Sequence, residues 1–379
     1  MNQYYRRSIV VLTAALLVCL AALCITPSVR VEPTPLPAQI ADRAFWRMIG
    51  DFSEAGGFFR SDNLVSNETA FQHVIPELQR TLAPGGVYIG VGPDQNFTYI
   101  AALRPRIAFI VDIRRQNMLL HLMYKGLLEQ SANRAEFLSR LFSRAQPAGL
   151  GPDSSPEVLF DAYGASEPSN ELFDTNLRSL VDQLVERHHF SLSGSDIQSI
   201  EYVYRAFYSS GPNIRYSFGR YGGWRQFPSY AELMMETDGQ GENHSYLANE
   251  ENFQTLRTLE MRNLIVPLVG NFAGGRALRS VGDYLRDHRA TVTTFYTSNV
   301  EQYLFQSNDW RRFFSNVASL PVDGTSTFIR AYFNNAGYRF QPPAPGLRSR
   351  TLLDPIADSI TAFNEGQIRN YGDVIERSH

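Results

Sequence analysis

The chain is poor in sulfur and in lysine. Its two cysteines, Cys19 and Cys24, both fall inside one N-terminal apolar run, so the rest of the chain offers no thiol nucleophile, no cysteine-ligated metal and no disulfide. An exported domain of this size does not need disulfides, so their absence leaves the compartment open. Lys125 is the single lysine, and the arginines that carry the other positive charges are scattered rather than clustered. With a formal net charge of -3 there is no concentrated basic face of the kind that holds nucleic acid. No Gly-Lys-Ser/Thr triplet occurs, which excludes a phosphate-cradling P-loop. No Gly-x-Ser-x-Gly elbow occurs either, so serine hydrolase chemistry has no signature.

What is present reads as globular: 44% of residues are hydrophobic and 19% charged, over a length that allows one large domain or two ordinary ones. Arg6 and Arg7 precede an apolar run at 9–25, which Thr26-Pro27-Ser28 breaks. A basic stretch followed by an apolar one is the order of an export signal, and the run also lies at the lower limit for a membrane span. Residues 1–26 are therefore expected to be a signal peptide or membrane anchor. The arginines before the run place the main domain outside the cytoplasm. Pro33, Pro35 and Pro37 then mark an extended linker over 27–39.

Beyond the linker the periodicities alternate between strand and helix. Helical patterns cover 40–52 and 69–82, and apolar β-rich runs lie at 87–91 and 107–113, with a helix at 116–129. Between 147 and 262 only helical patterns and Gly/Pro/Asp-rich loops occur, among them 219–224 and 238–243. Strand-turn-helix-strand order resumes at 263. The expected architecture is α/β: a Rossmann-like, mostly parallel sheet flanked by helices. Its first half is 40–146, a helical insertion or cap at 147–262 covers the sheet's carboxyl edge, the second half is 263–341, and a polar C-terminal tail with room for one more helix at 356–363 follows at 342–379.

The chemistry concentrates at Gly86-Val-Tyr-Ile-Gly-Val-Gly-Pro-Asp-Gln-Asn96. Gly90 and Gly92 end a strand, where a residue without Cβ lets the backbone turn sharply and approach a ligand. Asp112 ends the next strand, twenty positions after Gly92, where a carboxylate can accept the hydroxyls of a ribose. A dinucleotide fingerprint wants a third glycine at position 95, where Gln95 stands.

These residues resemble the glycine-rich first motif and the later acid of class I S-adenosylmethionine-dependent methyltransferases. Gly90 and Gly92 match the first two glycines, Asp94 stands where a third small residue is usual, and Asp112 matches the ribose-binding acid. Tyr88 occupies a place where the family commonly has an acid. The resemblance covers 87–128, continues over 264–296 as element order alone, and omits the middle section. It implies binding of S-adenosylmethionine or a related adenosine ligand through Gly90, Gly92, Asp94 and Asp112. In this family the residues after the fourth strand often face the methyl acceptor; Gly270-Asn271-Phe272 is taken as that position, with Asn271 as the weak catalytic candidate. Asn271 is better explained as a turn former.

Other constellations are thinner. His188 and His189 are adjacent and diverge from a helix end, while His244 with Asp238 and Glu242 is a loop cluster of the kind that is usually solvated, so no metal is expected. Asn67, Asn96 and Asn243 begin glycosylation triplets that matter only in a eukaryotic secretory route. Two functions follow: a membrane-anchored or exported methyltransferase-like enzyme, or a non-enzymatic cell-envelope protein that keeps the fold and has lost the cofactor. The methyl acceptor, any protein partner and the oligomeric state are not encoded in these motifs.

Overall fold

The computed structural model describes residues 35–217, 227–333 and 347–379. The expected signal or anchor at 1–26, most of the linker, the glycine-rich loop at 219–224 and the prolines at 342–345 lie outside the described residues. Among the described residues no helix is long and apolar enough to cross a membrane.

Six strands form one sheet: β1 (Val87–Gly90), β2 (Ile107–Asp112), β3 (Ile265–Val269), β4 (Val292–Ser298), β5 (Thr327–Phe333) and β6 (Ser349–Pro355). Their order is β3-β2-β1-β4-β5-β6, with β1 to β5 parallel and β6 antiparallel to β5. This is the Rossmann-like α/β arrangement that the alternating periodicities predict. Every residue of β1, β2 and β3 is buried, because helices cover both faces of a parallel sheet, and this is why these strands read as continuous apolar runs. Pro267 is tolerated within β3 because, among the described residues, β3 pairs only with β2 and its other side is the sheet edge.

Between β2 and β3 the described chain is helical. Helix Arg115–Glu129 lies against the sheet, and helices Gly194–Ser210 and Glu250–Met261 pack onto it. Arg115 ties this layer together through Nε and Nη2 to the two carboxylate oxygens of Asp196, at 2.7 and 2.9 Å. The insertion expected from sequence is present. At the carboxyl edge residues 53–70 bond the strand ends through their backbone: Glu54 N–H donates to Val269 O at 2.8 Å and Gly57 N–H to Ile113 O at 2.7 Å. Backbone groups at strand ends need partners, and a polar segment without periodicity supplies them.

In the tail at 342–379 the expected helix is present as Ile356–Asn364, while β6 and the helix Tyr371–Arg377 go beyond expectation. The cause is a buried ion cluster. Arg330 on β5 donates to Glu301 Oε2 and to Asp354 Oδ2, each at 2.6 Å, and to Ser359 Oγ at 3.1 Å. Charged residues thus sit where local hydropathy predicts solvent.

Candidate functional site

The turn after β1 is shaped by Asn96. Its Nδ2 donates to the carbonyls of Pro93 at 2.7 Å, Val91 at 2.9 Å and Gly92 at 3.3 Å, while its Oδ1 accepts from the Tyr88 hydroxyl at 2.9 Å. His121 Nε2 donates to Gly92 O at 2.9 Å. Burial pushes the His121 pKa down to about 4, so the ring is neutral near pH 7. Gly92 has φ +80°, a left-handed conformation that favours glycine. Gly90 is required for a different reason: a Cβ there would collide with Asn96 Oδ1 and the Tyr88 ring. The side chain of Asn96 is fully buried, which excludes it as a glycosylation acceptor.

At the carboxyl ends of β1 to β4 lies a cavity of about 410 Å³, within the size range of small-molecule sites. It sits at the topological switch point, where the strand order runs outward from β1 to β3 on one side and from β4 to β6 on the other. Gly92, Asp112, Asn271, Glu68, Ser298 and Tyr303 are among its walls. Phe58 and Phe59 of the covering segment and Tyr216 of the insertion close it from outside.

The residues expected from sequence separate at this point. Gly92 and Asp112 both line the cavity, whereas Gly90 stands behind the turn and packs on Asn96. Asp94 faces away: its buried carboxylate lies 3.5 Å from the Tyr246 hydroxyl, and burial pushes its pKa up to about 7. Asp112 is clasped by its own neighbour. Arg114 donates from Nε to Oδ1 at 3.0 Å, from Nη2 to Oδ2 at 2.9 Å and from its backbone N–H to Oδ1 at 2.8 Å. The same guanidinium donates through Nη1 to the carbonyls of Ser61 and Asp62, so it also fastens the covering segment.

Asn271 lines the cavity, but it follows the third strand rather than the fourth, since the insertion adds no strand among its described residues. Its Oδ1 accepts from Ala273 N–H at 2.9 Å, the turn-forming role. The helix N-terminus beyond that turn is already occupied: Glu54 Oε1 accepts from Arg276 N–H at 2.7 Å and Ala277 N–H at 2.9 Å. At the end of the true fourth strand, Ser298 and Asn299 reach the cavity. The β4–β5 register slips between Tyr296 and Ser298, and Ser298 has φ +52°, a costly conformation for a non-glycine residue.

Sequence reasoning missed Glu68. It stands in a polar stretch that looks solvated, yet it is only 2% exposed. Its Oε1 accepts from the Tyr296 hydroxyl at 2.8 Å and from Ser298 Oγ, and its Oε2 accepts from Gln95 Nε2 at 2.9 Å. Away from the cavity, potential ligand atoms of Asp238, Glu242 and His244 lie within 4.8 Å of one another. Asp238 there accepts from the backbone of Gln240 and Glu242 and from His244 Nε2, so loop hydrogen bonding accounts for the cluster.

The sequence matches a family model over residues 63–149 and 155–355, more than half of the chain. The chain belongs to the family described as Domain of unknown function (DUF7790). A comparison with curated proteins gives no match. The family's two matched blocks take in β1 to β6 and the inner cavity wall, including Glu68, Asp112 and Ser298. Phe58 and Phe59, on the outer wall, precede the matched region.

Proposed function

We propose that the cavity beside Gly92 and Asp112 binds an adenosine-type ligand, S-adenosylmethionine foremost, and that the protein transfers its methyl group to a small acceptor. The observation that supports this is the convergence of the glycine turn and the strand-end acid on one cavity at the switch point. The residues fit the ligand in part. Gly92 leaves the backbone open to close approach, and Asp112 Oδ2 accepts only one hydrogen bond from Arg114, which leaves it capacity for a ribose hydroxyl. Bound S-adenosylmethionine would supply an activated methyl group. The protein's task is then to hold the acceptor in line, a proximity effect, with Ser298 and Asn299 at the strand end as the polar groups available to orient it.

A second reading has its own observation. Asp112 is already ion-paired, and Asp94 and Tyr88 point into the interior, which suits a fold that has lost the cofactor and acts as a binding module. On either reading, residues 1–26 are proposed as an export signal or anchor that places the domain outside the cytoplasm. Calorimetric titration of the full chain with S-adenosylmethionine and S-adenosylhomocysteine separates the readings. Heat with both ligands, lost in Asp112→Ala, supports the enzyme, and no heat with either leaves the binding module.

A further inference from the structure

Two buried carboxylates face the cavity, and they differ in compensation. Asp112 has Arg114 within 2.9 Å. Glu68 has three side-chain partners, Tyr296, Ser298 and Gln95, and all are neutral. Gln95 is braced in turn by Ser66, whose hydroxyl donates to its Oε1. This network aims three polar side chains at one carboxylate and brings no positive charge to it. Burial raises the Glu68 pKa, its three neutral hydrogen bonds offset this in part, and a counter-charge would favour the ionised form further.

The cavity fixes the kind of counter-charge. A hard divalent cation wants several anionic or carbonyl oxygens around it, and here one carboxylate stands among hydroxyls and an amide. Phe58, Phe59 and Tyr303 line the same cavity, and aromatic faces attract alkylated cations.

We infer that the cavity selects an organic cation, an ammonium or sulfonium compound, whose charged group docks on Glu68 at the β4 end. This rests on the cavity being the ligand site proposed above, but not on the ligand being an adenosine. Specificity at this site is then electrostatic: a neutral isostere of the same shape leaves the Glu68 charge unpaired.

Two ligand pairs test it on the full chain. Phenethylammonium and its neutral isostere 2-phenylethanol are compared by thermal shift, and S-adenosylmethionine and uncharged 5′-deoxy-5′-methylthioadenosine by calorimetry. Each pair is run on the wild type and on Glu68→Gln, which keeps the side-chain shape and removes the charge. The expected result is a higher Tm with the ammonium and none with the alcohol, and a preference for the sulfonium of at least about tenfold. Both discriminations vanish in Glu68→Gln. Equal effects within both pairs, or discrimination that survives in Glu68→Gln, overturns the inference. An ammonium shift that depends on Glu68, with silence from both adenosine compounds, removes the S-adenosylmethionine reading and keeps the cation site. Adenosine compounds that bind alike, with no ammonium shift, do the reverse. Should Glu68→Gln fail to fold, Glu68→Asp keeps the charge but withdraws it by one methylene: the ammonium preference must then fall, and an unchanged preference overturns the inference.

Discussion

Arg114 lies across Asp112, two residues earlier in the chain, with Nε 3.0 Å from Oδ1 and Nη2 2.9 Å from Oδ2. The pair closes the strand end, and through the carbonyls of Ser61 and Asp62 it locks the covering segment onto the sheet. Removing one partner of a buried pair strands the other. Asp112→Ala and Arg114→Ala are each expected to cost about 3 kcal/mol in urea unfolding. The double variant should cost clearly less than their sum, since no unpaired charge remains. Strict additivity would mean that the two side chains do not act as a unit.

The two glycines of the motif are expected to respond differently to alanine. At Gly92 the penalty is the left-handed φ of +80°, with Asn63 Nδ2 no nearer than 3.6 Å to the added Cβ, so the cost is about 1 to 2 kcal/mol. At Gly90 the added carbon displaces Asn96, and with it the donor to three loop carbonyls, so the cost should exceed that at Gly92. Chemical denaturation of both variants gives the order directly.

Asp94 makes stability depend on pH. Folded, it keeps its proton up to about pH 7; unfolded, it releases it near its ordinary value of 3.8. Its stabilising contribution is therefore complete below about pH 4 and is lost as pH rises through 7. Asp94→Asn, which cannot ionise, should remove that part of the decline in Tm between pH 4 and 7. Superimposable Tm–pH curves for the two proteins would contradict the placement of Asp94 beside Tyr246.

The sixth strand depends on Arg330. Arg330→Met leaves Glu301 and Asp354 buried without their counter-charge, at a cost of about 3 to 5 kcal/mol. Hydrogen exchange should quicken first in Ser349–Pro355, where β6 pairs, among the described residues, with β5 alone.

These residues also mark how far the sequence could be read. β1, the glycine turn, β2 and its terminal acid were legible because buried parallel strands announce themselves as apolar runs and turns as glycine. That Asp112 would be neutralised by Arg114 lay two positions away, yet it depends on a side-chain orientation that spacing does not encode. Asp94 belongs to the motif, but its carboxylate answers to Tyr246, 152 positions later, rather than to the cavity. Glu68 and β6 were hidden for one shared reason. Their polar residues are buried by partners remote in sequence, Tyr296 and Ser298 for the first and Arg330 for the second. Local hydropathy assigns such residues to solvent.

Where the domain resides bears on which reading of the cavity applies, since S-adenosylmethionine is a cytosolic metabolite. A topology reporter fused after His379 is expected to report an extracytoplasmic C-terminus if residues 1–26 export the chain. A cytoplasmic signal would remove the export proposal and favour the enzyme.

The most direct test of the central claim is calorimetric titration of the full chain with S-adenosylmethionine. Saturable binding at one site is expected, abolished by Asp112→Ala and weakened by at least about tenfold in Glu68→Gln. No heat from the wild type, or binding that both variants leave unchanged, would contradict it.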